Sequence, residues 1–168
     1  ENGISAIALN PGPTLTYLTG LNFHLMERPT VFIYKNGTEP LLILPELEQL
    51  KLAGSRIHLQ AVPYNDDPST WPSIFSRALN SLELGGTKIG VEPVRLRFLE
   101  LDYLRQAVPS ALFISAEQVL GALRLYKDAG EIVEMRRAAA IAQRSLLDVL
   151  PMVKPGVTEK AIAAELTI

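Results

Sequence analysis

Few side chains in this sequence are of the types that perform chemistry. It contains two histidines and no cysteine, which excludes a thiol nucleophile and a cysteine-ligated metal site. His24 lies in a loop that follows Gly20 and also contains Arg28, and loops carry binding residues more often than cores do. His58 lies in a strand pattern, where an ordinary half-exposed role is expected. His24 and Arg28 are therefore the local candidates for a site, with a solvated loop as the alternative.

The carboxylates do not form a metal-binding pattern. Asp66 and Asp67 are adjacent, but they stand between Asn65 and Pro68, where turn and helix-cap roles are expected. Glu92 follows an apolar strand pattern and is either a buried acid or part of a surface turn. The sequence has no HxH, HExxH or GxGxxG motif, so it predicts neither a histidine metal centre nor a phosphate loop. The types and spacing of the residues, taken alone, therefore indicate a non-catalytic α/β domain followed by helices.

Composition and charge exclude several classes of protein. The 168 residues are 48% hydrophobic and 20% charged, which is typical of a folded chain rather than a disordered one. A formal net charge of -2 provides no electrostatic attraction to nucleic acid or to an anionic membrane. No apolar run reaches the ~18 residues that a membrane span needs. The lack of cysteine and of a signal peptide favours a cytoplasmic location, and Glu1 in place of Met indicates a trimmed N-terminus.

The elements that must position these residues alternate between strand and helix patterns. Strands are predicted over residues 4–9, 14–18, 31–34, 41–44, 57–62, 88–91 and 111–114, and helices over residues 45–53, 69–84 and 96–107. Asn36 and Gly37 predict a tight hairpin between two of the strands, because such a turn needs positive φ. The alternation predicts an α/β fold in which helices flank a mixed β-sheet.

Every pattern after residue 115 is helical. Helices are predicted over residues 116–125, from Asp128 to Pro151, and from Thr158 onward. Asp128 and Glu131 have the spacing of a capping box. The second helix carries an apolar seam, which consists of Ile132, Met135, Ala139, Ala142, Leu146 and Val149. The last helix has no stop signal before Ile168, so we expect the chain to have been cut inside a second domain, with natural fraying as the alternative.

Five segments match one known pattern in the same order along the chain. They are Asn10-Pro11 with Tyr17–Gly20, Lys88–Glu92, Leu123–Ile132, Met135–Ala142 and Lys154–Leu166. Together they resemble the creatinase/prolidase family. Each motif alone is weak, but their shared order over the whole chain is specific. Two departures are minor: Asp128 stands in place of the usual Ser or Thr, and Gly130 is unusual in a first helical turn.

The resemblance implies two domains and an activity for the parent protein. Residues 1–122 would form a creatinase-type N-terminal α/β domain, and residues 123–168 would open a C-terminal pita-bread catalytic domain. Family members hold two divalent metal ions (Mn, Co or Zn) through two Asp, one His and two Glu, and cleave Xaa-Pro bonds. None of these ligands can be assigned here. We therefore expect a metal-dependent hydrolase as the parent, a Xaa-Pro dipeptidase or aminopeptidase, and no cofactor or activity in this fragment.

The resemblance also implies a homodimer in which this domain helps to bind the substrate. In related dimers, this part of the N-terminal domain reaches the partner subunit's active site. Phe23 would then provide an apolar wall, and His24 or Arg28 a donor to the carboxylate of a proline-containing peptide. A loop that only caps the sheet edge is the alternative. Two other functions stay open: the N-terminal domain of a creatinase-like amidinohydrolase, and a non-catalytic relative that binds peptides or histones.

Overall fold

The computed structural model describes residues 3–166, which fall into two compact units. The first unit ends at Leu123 and the second begins at Arg124. The expectations about Glu1 and Ile168 concern positions outside the described residues.

The first unit is built on a six-stranded mixed sheet. Its strands are β1 (Ala6–Leu9), β2 (Val31–Lys35), β3 (Leu41–Pro45), β4 (Gln60–Tyr64), β5 (Lys88–Val91) and β6 (Leu112–Ser115). Their order in the sheet is β4-β3-β2-β1-β5-β6. The pairs β1–β2 and β2–β3 are antiparallel, and the pairs β1–β5, β3–β4 and β5–β6 are parallel. The predicted α/β fold with a mixed sheet is confirmed.

Alternate residues of the central strands face two separate cores. Ile33 and Ile43 belong to the first core cluster, together with residues of α2 (Trp71–Asn80) and α3 (Phe98–Ala107). Phe32 and Leu42 belong to the second cluster, which also contains residues of α1 (Pro13–Thr19) and α4 (Glu117–Leu125). Burial of both faces explains why β2 and β3 have nearly continuous apolar sequences.

Helix α1 lies where the sequence predicted a short strand over residues 14–18, so that prediction is wrong. Pro13 is at the start of the helix, where its missing N–H is not needed. Gly20 ends the helix with a φ of 78°, a left-handed conformation that glycine adopts without strain. Leu15 is fully buried in the second core cluster. Packing of one helical face therefore outweighs the strand propensity of the Thr and Tyr residues.

The remaining elements of the first unit lie close to their predicted positions. Residues Glu46–Gly54 form a 3₁₀-helix, where a helix over residues 45–53 was predicted. A single 3₁₀ turn, Pro68–Thr70, precedes α2. Strand β4 begins at Gln60, three residues later than predicted. It is an edge strand and contains Pro63, which is tolerated there because an edge does not need every N–H.

The second unit is helical. It contains the end of α4, then α5 (Ala129–Val149), a 3₁₀ turn (Leu150–Met152) and α6 (Glu159–Leu166). The Asp128 carboxylate accepts a bond from the Glu131 N–H at 2.8 Å, and the Glu131 carboxylate accepts one from the Asp128 N–H at 2.8 Å. The predicted capping box is therefore confirmed. Within the predicted seam, Met135 and Leu146 are more than half exposed.

Candidate functional site

The loop between α1 and β2, residues 21–30, carries the side chains that the sequence singled out. It begins after the left-handed Gly20 and ends where Val31 enters the sheet. Phe23 and Thr30 are buried, whereas His24 and Met26 are exposed. The loop is thus packed into the unit near both ends and presents its middle to solvent.

Arg28 is held by two carboxylates. Its Nε donates to Asp66 Oδ1 at 2.6 Å and its Nη2 to Asp66 Oδ2 at 3.1 Å, which is a two-point contact. Its Nη1 donates to Glu27 Oε1 at 2.9 Å. The hydrogen bond with Arg28 holds the pKa of Asp66 below its usual value, and the same bond raises the pKa of Arg28. Both groups are therefore ionised at neutral pH.

The two adjacent aspartates have different roles. Asp67 Oδ1 accepts bonds from the Ser69 N–H at 3.0 Å and from the Ser69 hydroxyl at 2.7 Å. These bonds lower the pKa of Asp67 and confirm its predicted role as a turn and cap residue. Asp66 instead reaches the loop through Arg28, a role that the turn prediction missed.

His24, Arg28 and Phe23 line one small cleft. Its volume is about 20 Å³, close to that of a single water molecule. A larger ligand must therefore lie over the loop rather than inside this cleft. Phe23 belongs to the second core cluster and is 5% exposed, with Lys51 Nζ 5.4 Å from its ring centroid.

The other histidine, His58, precedes β4 with its side chain 94% exposed, so the prediction of a half-exposed strand residue was wrong.

Two further side chains form hydrogen bonds with backbone carbonyls of the loop. Arg97, at the start of α3, donates from Nη1 to the Met26 carbonyl at 2.5 Å. The Tyr64 hydroxyl donates to the Pro29 carbonyl at 2.7 Å. Burial raises the pKa of Tyr64 well above its usual value. Sequence reasoning missed both residues, because each contacts a partner far away along the chain and belongs to no local motif.

Polar groups at the ends of β1 and β5 are buried. Asn10 is completely buried, and its side-chain atoms have no hydrogen-bond partner among the described residues. Glu92 Oε1 accepts from the Thr14 hydroxyl at 2.8 Å, while Oε2 is buried without a hydrogen-bond partner in residues 3–166. Glu92 is therefore a partly buried acid, which was one of the two roles left open.

A groove of about 940 Å³ lies on the face of the sheet that carries the second core cluster. Its lining is mostly apolar and includes Ile7, Phe32, Tyr34 and Val119. Among the described residues of that lining, Tyr34 is the one titratable group. In the part of the chain that the structure describes, the groove therefore offers a mainly apolar surface.

Two absences limit the chemistry of the described part of the chain. Across residues 3–166, no group of three His, Cys, Asp or Glu side chains could hold a metal ion. No helix in the same range is long and apolar enough to cross a membrane.

Comparison with protein families and curated proteins gives concordant matches. The model of a family described as "Creatinase/Prolidase N-terminal domain" matches residues 1–126. The "Putative dipeptidase YkvY" of Bacillus subtilis is 25% identical over 99% of this chain and 46% of its own length. The "Probable dipeptidase PepE" of Mycobacterium tuberculosis is 28% identical over 99% of this chain and 44% of its own length. The chain thus spans less than half the length of these relatives.

Solved structures share the fold. Dipeptidase PepE from Mycobacterium ulcerans has a TM-score of 0.74 at 26% identity, over 98% of this chain and 43% of its own. A prolidase from Thermococcus sibiricus has a TM-score of 0.80 at 22% identity, over 98% of this chain and 44% of its own. A proline dipeptidase from Streptococcus pneumoniae has a TM-score of 0.63 at 25% identity, over 74% of this chain and 89% of its own.

Proposed function

Because the chain belongs to the creatinase/prolidase N-terminal domain family, we propose that it is the N-terminal domain of a metal-dependent Xaa-Pro dipeptidase. The proposal is supported by the names of the relatives, which are dipeptidases, and by the prolidase fold. The domain's task is to shape the substrate site and to support a homodimer, and the bond is cleaved elsewhere in the protein.

The metal ions of such an enzyme belong to another part of the protein. Two divalent ions, Mn, Co or Zn, would activate water and polarise the scissile carbonyl. The donor set of residues 3–166 does not fit these ions, because it contains no cluster of three ligating side chains. No catalytic step is therefore assigned to this chain.

The loop of residues 21–30 is the part of the domain that we assign to substrate binding in trans. The observation that carries this assignment is that His24 and Arg28 line one cleft on a loop held from several sides. An exposed imidazole and a guanidinium both donate hydrogen bonds, and guanidinium geometry suits a carboxylate. In a dimer, these donors would bind the carboxylate of a proline-containing peptide in the partner subunit's site. Phe23, which lines the same cleft, would provide an apolar wall.

The loop assignment is tested in the full-length enzyme. Arg28→Ala and His24→Ala, made separately, should each lower kcat/KM on an Xaa-Pro dipeptide by about tenfold or more, because each removes a hydrogen bond to a charged group. His58→Ala is the matched control, since that histidine is exposed and lies outside the loop. If both loop variants dimerise and retain wild-type kinetics, the loop has no role in substrate binding.

The absence of catalysis in this chain has its own test. The purified 168-residue chain, with Mn²⁺, Co²⁺ or Zn²⁺ added, should cleave Xaa-Pro dipeptides no faster than the metal alone. Turnover above that control would place the chemistry within this chain. The full-length sequence separates the enzyme from a binding module, because two Asp, one His and two Glu in ligating positions are required only by the enzyme.

A further inference from the structure

Two arginines connect the loop of residues 21–30 to the folded unit. Arg28, on the loop, holds both oxygens of Asp66, which lies just after β4. Arg97, at the start of α3, donates to the Met26 carbonyl on the loop. The two contacts are two residues apart on the loop and come from different elements. Together they restrain both the position of the loop and the direction of its guanidinium group.

The contact between Arg97 and the Met26 carbonyl is restrained by a buried carboxylate, that of Glu100. The Glu100 carboxylate is completely buried, and leaving a buried carboxylate without a partner is costly. Arg97 provides that pairing, with its Nε donating to the two Glu100 oxygens at 3.0 and 3.1 Å and its Nη2 to one of them. One guanidinium therefore binds both Glu100 and the loop carbonyl. If Arg97 left this orientation, the buried Glu100 carboxylate would lose its hydrogen bonds to the guanidinium.

The contact from Asp66 fixes the orientation of Arg28. A carboxylate that binds Nε and Nη2 together defines the plane of the guanidinium, whereas a single bond would allow rotation. Glu27 binds the remaining nitrogen, Nη1. The side chain of Arg28 is 30% exposed, so part of it stays open to a ligand above the loop.

We propose that Asp66 and Arg97 are positioning residues, which hold His24 and Arg28 over one cleft and so tune substrate affinity without touching the substrate. This inference rests on the substrate-binding role proposed for the loop. The affinity of the loop for substrate then depends partly on Asp66, just after β4, and on Arg97, at the start of α3.

The kinetic test uses the full-length enzyme. Asp66→Asn keeps the size of the side chain but removes its charge and one acceptor, so KM for an Xaa-Pro dipeptide should rise by about fivefold or more while kcat changes little. Asp66→Glu, which retains the carboxylate, should restore part of this loss. Asp67→Asn is the matched control, because within the described residues the Asp67 carboxylate accepts hydrogen bonds only from Ser69, and it should leave KM unchanged.

The structural test measures the loop itself in the 168-residue chain. Amide hydrogen exchange over residues 21–30 should be faster in Asp66→Asn and Arg97→Lys than in the wild type, with β2 and β3 unchanged. Lysine keeps the charge beside Glu100 but lacks the fork that also reaches the Met26 carbonyl. Unchanged loop exchange in both variants would overturn the inference.

The two tests separate this inference from the proposed function. If Arg28→Ala raises KM and Asp66→Asn does not, the loop binds substrate and the positioning role is wrong. If Arg28→Ala and His24→Ala both leave KM unchanged, the proposed function fails, and the positioning role fails with it even where loop exchange is faster. Faster loop exchange together with a higher KM in Asp66→Asn, rescued by Asp66→Glu, supports both.

Discussion

Tyr64 joins the sheet to the candidate loop through one buried hydrogen bond. Its hydroxyl donates to the Pro29 carbonyl at 2.7 Å, and its ring packs 5.4 Å from that of Trp71. Tyr64→Phe would keep the ring but leave a carbonyl without its donor. We expect the free energy of unfolding to fall by about 1–3 kcal/mol in urea denaturation. Tyr34→Phe, at a ring that is 42% exposed, should change it little. Equal midpoints for the two variants would contradict this prediction.

The Asp66–Arg28 pair predicts how the loop responds to acid. The pKa of Asp66 is lowered by Arg28 in the folded chain, from an ordinary value of 3.8. The ionised Asp66 carboxylate therefore makes its full contribution to the stability of the folded chain at pH values above 3.8. This contribution is lost as the pH falls through the lowered pKa of the folded state. A carboxyl NMR titration should give a midpoint below 3.8 in the wild type and one closer to 3.8 in Arg28→Ala. A wild-type midpoint at or above 3.8 would contradict the pairing.

Sequence reasoning found the exposed members of the candidate site but not the residues that hold them. His24 and Arg28 stand out locally, because they are chemically distinctive residues in a loop between apolar patterns. The residues that hold the loop cannot be found from such a local pattern. Arg97 lies 71 residues from its loop partner Met26, and Asp66 lies 38 residues from Arg28. Periodicity describes neighbours along the chain, whereas these contacts arise only after the sheet has brought distant segments together.

At the scale of elements, the close approach to strand β5 of Ala116, the residue just before α4, depends on Gly90. A Cβ at this position would lie 2.8 Å from the Cβ of Ala116 and 3.1 Å from two carbons of Ile4. Gly90→Ala should therefore lower the free energy of unfolding by about 1–3 kcal/mol, because the neighbours would have to move apart. Gly121→Ala in α4 is the control, since nothing lies within 4 Å of the added carbon. It should be neutral or stabilising by up to about 1 kcal/mol. Equal unfolding midpoints for the two variants would exclude tight packing at Gly90.

The elements that were predicted well are those with an unambiguous local pattern. The β2–β3 hairpin has two apolar runs on either side of Asn36 and Gly37, and the α5 capping box has its two residues at the required spacing. Helix α1 was predicted wrongly because Thr14-Leu15-Thr16-Tyr17 alternates like a strand. Its helical state depends on the burial of Leu15 against the sheet, a tertiary effect that a seven-residue pattern does not contain.

At the scale of the whole molecule, the two core clusters consist of residues of the first unit. Every residue in both clusters, including those packed at their edges, lies at or before Leu120. A chain ending at residue 122 should therefore retain the α/β core and unfold cooperatively on heating, as followed by circular dichroism. The full chain provides the reference transition. Complete loss of structure in the shortened chain would show that the predicted domain boundary is misplaced.

The position of β1 in the sheet has a consequence for how a newly made chain folds. This first strand lies between β2 and β5, and its register pairs Ala6 with Ile89. The ribosome must therefore add about eighty more residues before β1 gains its second neighbour, which takes roughly 4–16 seconds at ordinary rates of synthesis. Throughout that interval one edge of an apolar strand stays open to pairing with other chains. Strand β1 is thus made long before its second edge is covered, and chaperone binding to it during translation would protect the open edge.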